Sequence, residues 1–512
     1  MQKKTISQTI RILCLLCCLI LTLAMFAGCK KDNDTVSSKK ENSSQTSSLP
    51  KTDVVSSYEN QEHPTLPKNV DLNGFEMSFA LPQGHFFLIR PEKGENAQND
   101  LVLEALEKIE QEYDCKVSLI PVNDWTTEVM PSLLAGDEFA KVIMPYVHQA
   151  GQFVSARLCM NMLTSDISQY INMDQPWWNS TIAYAANVDG KVYAGAPDIQ
   201  STADSTMVCF FNKRILKEIG SDEKSIYKMY YDKTWTWDVF RDLAKKAVKD
   251  LNNDSTMDNK DRFGFTAPDY DSAEAFCTTA DCISIVTKNG KNPTYNYTTP
   301  FAISTLMTLN SLYTEDGIYF AKSNTKEEGS QNWAFIDVFA RGQSLFMCHS
   351  MSAMAHETIR EMDDQIGMMP MPLGPTSDTS DADGWRNEYS SRVNHNFRVT
   401  IIPTTNKDIA DTALVLEAIA FNYWRLTNQR TEIYGAVYLN DDDAAYIATQ
   451  IYNYSTFEIS QFLYSINNGV YNNEVLSKVY ALTKKPQYDV TGEFASVAET
   501  AQIIINQYFA GE

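Results

Sequence analysis

Strand-like and helix-like segments alternate from Phe75 onward, and this alternation restricts the fold more than any other feature of the chain. Phe75 to Leu81 reads as a strand. Asp100 to Tyr113 places Val102, Leu106, Ile109 and Tyr113 on one helical face. Lys116 to Val122 is again strand-like, Trp125 to Ala135 helical, and Val142 to Met144 strand-like. A βαβαβ series predicts right-handed crossovers and a parallel sheet with helices on both faces. Sheets of this kind bind ligands beyond the carboxyl ends of their strands. Gln83, His85, Asp137 and Tyr146 fall at such ends and are candidate ligand-binding residues. Later segments are richer in helices, clearest at Trp237 to Lys249, Phe301 to Tyr313, Asn406 to Trp424 and Ala495 to Phe509. A body of about 440 residues exceeds one usual core and is expected to divide in two.

The amino terminus carries a different signal. Lys3, Lys4 and Arg11 precede an almost wholly apolar run from Ile12 to Phe26. That is the charged and apolar pair of regions of a secretory signal, too short for an ordinary membrane span. Met25-Phe26-Ala27-Gly28-Cys29 resembles a lipobox. The resemblance implies a lipoprotein signal peptide over 1–28, cut before Cys29, and acyl chains of the palmitate type on that cysteine. Two such chains suffice for stable anchoring. The alternative is an uncleaved anchor helix with an incidental cysteine. Residues 29–69 are rich in Ser, Lys, Asn, Asp and Gln, and read as a disordered tether. Its expected reach is ~30–40 Å.

Composition removes several functions. With 43 basic and 65 acidic residues the net charge is −22. Such a surface repels nucleic acid and anionic lipid, so no nucleic-acid partner is expected. Once Cys14, Cys17, Cys18 and Cys29 are assigned to the leader and anchor, Cys115, Cys159, Cys209, Cys277, Cys282 and Cys348 remain. They are too scattered for a disulfide framework. Cys277 and Cys282 either pair across a short loop or stay buried thiols. Zinc, P-loop and Gly-x-Ser-x-Gly motifs are absent, and His356-Glu357 lacks the second His of a metalloprotease.

Six segments in order resemble the extracellular solute-binding proteins of ABC importers, in the sugar-binding branch. They are Gln175-Pro176-Trp177-Trp178-Asn179, Asn187-Val188-Asp189-Gly190-Lys191-Val192-Tyr193, and Phe210-Phe211-Asn212-Lys213-Arg214-Ile215-Leu216. Thr234-Trp235-Thr236-Trp237-Asp238-Val239-Phe240, Phe339-Ala340-Arg341-Gly342-Gln343-Ser344-Leu345-Phe346-Met347, and Ile366-Gly367-Met368-Met369-Pro370-Met371-Pro372-Leu373-Gly374-Pro375 complete the set. The resemblance implies an α/β, two-lobed periplasmic-binding-protein-like (type II) fold with a helix-rich second lobe and a hinge that closes on ligand. It implies lobe I from 70–200 with 350–400, and lobe II from 201–349 with 401–512. Chain crossings are expected near Pro197 to Met207, Met347 to Met351 and Arg398 to Pro403, which places His349, Ser350 and Met351 at the cleft floor. Expected partners are a small solute, ABC permease subunits and the membrane through the lipid anchor. A monomer needing no cofactor is expected, at the outer face of the cytoplasmic membrane.

One loop suggests a structural ion. Asp250, Asn252, Asp254, Thr256, Asp258 and Asp261 occupy positions 1, 3, 5, 7, 9 and 12 of an EF-hand-type loop, so this is a candidate Ca²⁺ site. Ser255 stands where Gly makes the sharp turn, and Asp261 replaces a longer Glu. The competing reading is a solvated acidic loop.

Sugars present apolar C–H faces and hydroxyls, so their sites pair aromatic platforms with carboxylates, amides and guanidinium groups. Trp177, Trp178, Trp385, Arg386 and Tyr389 lie in polar, loop-like sequence and are candidates for that role. Asp204 and Asp269-Tyr270 follow strand-like segments and are further cleft candidates. Trp235, Trp237 and Trp424 sit on helical patterns, where packing is the expected use. Three functions compete: capture of a mono- or oligosaccharide without chemistry, a lipid-anchored glycan hydrolase, and a ligand sensor or adhesin using the same fold.

Overall fold

The computed structural model describes residues 61–68, 70–94, 97–185, 187–288, 290–320, 334–378, 383–434, 439 and 441–510. All of them fall in one compact unit, 53–512. The signal peptide, Cys29 and the tether up to residue 60 lie outside the described residues. Among the described residues no helix is long and apolar enough to cross a membrane.

The first sheet follows from the alternation at the start of the body. Strand β1 (Phe75–Leu81), helix α1 (Ala97–Glu112), β2 (Cys115–Pro121) and β3 (Val142–Ile143) form a parallel sheet in the order β2-β1-β3. Phe75 stands opposite Cys115, and Phe79 opposite Val142. The helix expected from Trp125 to Ala135 divides into a π turn, Trp125–Val129, and a short α segment, Met130–Leu134. Asp124 caps it, accepting the Thr126 and Thr127 N–H groups at 2.9 and 2.7 Å. Helix α2 (Val147–Ser155) then buries Val147, Ala150, Phe153 and Val154 on one side.

A second, mixed sheet is built from β4 (Met207–Asn212), β5 (Phe263–Thr266), β6 (Tyr319–Phe320), β7 (Ser344–Ser350) and β8 (Ile366–Pro370). Its order is β8-β4-β7-β5-β6. Helix α3 (Trp237–Ala247) begins at Thr236, whose side chain accepts the Val239 N–H. It buries Trp237, Phe240, Leu243, Ala244 and Ala247, the i, i+3, i+7 spacing of a core-facing stripe. Trp235 and Trp237 pack there as the helical pattern predicts, their indoles donating to Pro370 O (3.0 Å) and Thr279 Oγ1 (2.9 Å). Helix α4 (Asp269–Thr279) follows β5.

Two of the chain's passages between the sheets run side by side and pair with each other. Gly195 pairs with Thr400 beside the first sheet, and Thr206 pairs with Val393 beside the second. Ile401 pairs with Ile143, and Arg398 with Tyr146. These place crossings at about 195–207 and 393–403, in line with two of the three expected segments. The third differs. The expectation puts residues 350–400 beside the first sheet, but Ile366–Pro370 runs antiparallel to β4. Leu373 N donates to Trp235 O, which holds the next stretch of chain to the same side. Helix α5 (Ile409–Tyr434) differs in the opposite sense, because Ala413 to Trp424 belongs to the apolar core around β1 and α1. The later helices return to the second sheet, where Asn310 donates to Leu482 O and Lys485 O.

The expected tether runs to residue 69, yet its last residues are docked on α5. His63 Nε2 lies 3.0 Å from Glu417 Oε1, and Arg425 Nη1 donates to Gln61 O at 2.8 Å. Leu66 and Val70 pack on the same core. The six body cysteines are all buried free thiols, Cys277 and Cys282 included.

Candidate functional site

The carboxyl ends of β5, β6 and β7, with the amino end of β4, open on a cavity of about 710 Å³. Ala267, Asp269, Phe320, His349, Ser350 and Met207 line it from those strand ends. Asn394, His395 and Asn396 come from the second crossing, Tyr480 from the helix Ser477–Leu482 and Lys484 from the turn after it. A second cavity, of about 310 Å³, is lined by Phe87, Leu88, Asn99 and Val102 of the first lobe, by Gln200, Ser201 and Asp204 of the first crossing, and by Tyr423, Leu426 and Thr427 of α5. Ser352, Asn394 and Asn396 border both.

A network of buried charge underlies the larger chamber. Asp271 accepts from Arg392 Nη1 at 3.0 Å and sits 2.9 Å from His395 Nδ1. Arg392 also bridges Glu274 at 2.6 Å, and Tyr480 donates to the same glutamate at 3.1 Å. Burial opposes ionisation of Asp271, but the hydrogen bonds and charges of His395 and Arg392 prevail and hold its carboxyl at about 2. Burial pushes Glu274 and Glu458 up from the usual carboxylate range. Arg392 is thus a buried cation whose charge is matched by two carboxyl partners. Asp269 at the rim accepts from Tyr319 Oη at 2.6 Å and pairs with Lys484 at 3.1 Å.

His349 supplies the flat element of the chamber. Its ring stacks on Phe335 with centroids 5.4 Å apart and planes 25° from parallel. Its Nδ1 lies 3.1 Å from Ser350 Oγ, which lies 2.9 Å from Ser352 Oγ. Burial lowers the pKa of His349, so the neutral imidazole, both donor and acceptor, prevails at neutral pH. The chamber therefore offers hydroxyls, carboxylates, amides and imidazoles around an apolar ring, a set suited to a hydroxyl-rich ligand.

The sequence candidates are dispersed. His349 and Ser350 line the larger chamber and Asp204 the smaller. His85 and Tyr146 meet, with Nε2 and Oη 3.1 Å apart, and Arg398 lies 3.8 Å over the Tyr146 ring. Gln83 and Asp137 are exposed and border neither chamber. Tyr270 opens α4, its side chain outside the described residues.

The aromatic candidates need correction. Trp177 and Trp178 are 3% and 1% exposed. Both indoles donate to the buried Glu417, at 2.7 and 2.5 Å, so neither ring is free to serve as a platform. Tyr389 is buried against Tyr230, with ring centroids 5.2 Å apart. Arg386 pairs with Asp281 at 2.6 Å, and Trp385 bridges to Pro375. Arg386 and Tyr389 hold their stretch of chain to the second lobe, and none of the three borders either chamber.

The Asp250–Asp261 loop is closed by its own backbone. Asp250 accepts from Asn253 N and Ser255 N at 2.6 and 2.9 Å, and Asp261 from Leu251 N and Asp258 N at 2.8 and 2.9 Å. Asp254 accepts from Thr256 N, and Asn252 accepts from Asp254 N. Among the described residues no group of three His, Cys, Asp or Glu side chains converges to hold a metal. Asn394, His395, Asn396, Tyr480 and Phe335 escaped the sequence reading. The run Asn394-His395-Asn396 just before the expected crossing was the available signal for the first three.

Comparison with known proteins agrees with this geometry. A family model described as bacterial extracellular solute-binding protein matches residues 104–413. No curated protein sequence matches the chain. Among solved structures, the sugar-binding protein MalE from Xanthomonas citri is similar at a TM-score of 0.55 and 13% identity, covering 84% of this chain and 98% of that one. UgpB from Mycobacterium tuberculosis, in complex with glycerophosphocholine, gives 0.53 and 14%, covering 85% and 98%. A cyclic alpha-maltosyl-1,6-maltose binding protein from Arthrobacter globiformis gives 0.52 and 12%, covering 84% and 99%. At these identities the likeness is one of fold, the two-lobed α/β architecture.

Proposed function

The chain belongs to the bacterial extracellular solute-binding proteins, and from that premise we propose that it captures a mono- or oligosaccharide for an ABC importer. The observation that carries the choice of solute is the larger chamber at the strand carboxyl ends. There the stacked Phe335 and His349 rings stand among Asp269, Ser350, Asn394 and Tyr480. An apolar face ringed by hydrogen-bonding groups complements a pyranose. Two of the structurally similar proteins are described as binding sugars, which supports the same choice.

Capture proceeds by binding alone. The buried carboxylate nearest the chamber, Asp271, is held ionised by Arg392 and His395, an acceptor rather than a proton donor. The ligand favours the closed arrangement of the two lobes, and the closed form is handed to permease subunits. In this reading the protein is a monomer, lipidated at Cys29, and needs no cofactor. A thermal-shift screen tests it, using neutral saccharides beside peptides, polyamines and glycerophosphodiesters. A rise in melting temperature with saccharides is expected. A rise with only a non-saccharide contradicts the solute class, and release of new reducing ends from a glycan contradicts binding without chemistry.

A further inference from the structure

The two chambers differ in which lobe supplies their walls. Among the described residues, none that lines the larger chamber precedes Met207. The smaller one is walled on one side by Phe87 and its neighbours from the first lobe. Among the described residues, a small solute seated in the larger chamber would thus touch the second lobe and the crossing, but nothing of the first lobe. Such a solute has little differential affinity for the closed state, and cannot drive closure. A solute that enters both chambers touches both lobes.

The boundary between the chambers is open enough for that. Ser352 and Asn396 border both and are exposed, and Asn394, which also borders both, is only half-buried. Asn394 is fixed by its own backbone, its N–H donating to Ser205 O at 2.8 Å and its Oδ1 accepting from Asn396 N at 3.0 Å. Beyond it Phe87 is 51% exposed, a large aromatic face held at the chamber wall. Each chamber falls within the ~300–1,000 Å³ of small-ligand sites, so each can hold a ligand group of its own.

Resting on the saccharide reading above, we propose that the solute is an oligosaccharide spanning both chambers. One end stacks on Phe335 and His349, the chain passes Asn394, and a distal ring lies on Phe87. Phe87 is then the residue that sets the minimum length.

Calorimetric titration of the mature protein tests this. The probes are glucose, galactose and xylose, each with its α-1,4- and β-1,4-linked di-, tri- and tetrasaccharides. Affinity is expected to rise at least about 100-fold from monosaccharide to the best oligosaccharide, the gain of a second set of contacts. Phe87→Ala should weaken that oligosaccharide about tenfold, the loss of one stacking face, and leave any monosaccharide binding unchanged. Phe335→Ala should weaken every length. Equal affinity for monosaccharide and oligosaccharide, or no effect of Phe87→Ala, overturns the two-chamber proposal while saccharide capture stands. Absence of binding by any sugar of any length overturns both.

Discussion

Trp178 donates its indole N–H at 2.5 Å to the carboxylate of Glu417, which lies 239 positions further along the chain. The same carboxylate accepts the Trp177 indole and lies 3.0 Å from His63. One buried acid on α5 therefore ties the first-lobe core to the end of the amino-terminal arm. Glu417→Leu strands two buried indole donors at once, at a cost of about 1–3 kcal/mol each. Melting temperature should fall by several degrees, with a shift in tryptophan emission. Glu417→Gln keeps an acceptor for only one of the two indoles, which donate to different oxygens of the acid. It should therefore recover part of the loss and not all of it. Equal loss from both variants would contradict this role for the acid.

Gly195 tests the same core from the other side. A Cβ there would lie 2.6 Å from Trp178 Cζ3 and 3.3 Å from Met173 Cε. Gly195 N also donates to Thr400 O at the crossing, so the backbone has little room to retreat. Gly195→Ala should cost ~1–3 kcal/mol through overpacking. An unchanged denaturation midpoint in urea would show the ring to be mobile instead.

Asp271 gives the larger chamber a definite acid sensitivity. Its carboxyl sits at about 2 against an ordinary value of 3.8. A depressed folded-state pKa contributes stability that is present above the unfolded value and is lost as pH falls from about 4 toward 2. The contribution is about 2 kcal/mol at neutral pH. Asp271→Asn should lower stability at pH 7 and flatten its fall between pH 4 and pH 2, followed by chemical denaturation. A parallel fall in both proteins would contradict this role.

The acidic loop makes the contrary prediction about metal. Asp261 is fully buried and both its oxygens accept backbone N–H groups, from Leu251 and Asp258. Asp261→Ala should therefore lower the melting temperature equally in EDTA and in millimolar Ca²⁺. A calcium-dependent rise in the parent protein that Asp254→Ala abolishes would restore the loop as a cation site.

Much of the first lobe was legible because its signals are local. The βαβ alternation gave β1 to the residue, and β2 and β3 to within one, since strand period and helix period differ over a few turns. Pairing across long distance was not. Nothing in Ile366–Pro370 itself shows that its partner is β4 rather than the first sheet. Trp177 and Trp178 misled because polar neighbours surround them, while their partner lies on a distant helix. The sign was on that helix instead. Glu417 is a lone acid within the apolar run Leu416-Glu417-Ala418-Ile419, where a buried carboxylate must find donors. The larger chamber was half legible. His349 and Ser350 were named from a crossing that the resemblance implied near Met347 to Met351. The chain does not cross there, and they line the chamber as the end of β7 instead. Tyr480, Lys484 and Phe335 arrive from elements whose approach only the tertiary fold determines.

The central claim is that a saccharide binds at the carboxyl ends of the second sheet. A co-crystal structure with the saccharide that gives the largest thermal shift tests it most directly. The expected result is a ring stacked against Phe335 and His349, with hydroxyls on Asp269, Ser350 or Asn394, and density continuing toward Phe87. Density on the outer face beside Trp385 and Tyr389, with the larger chamber holding only water, would contradict it.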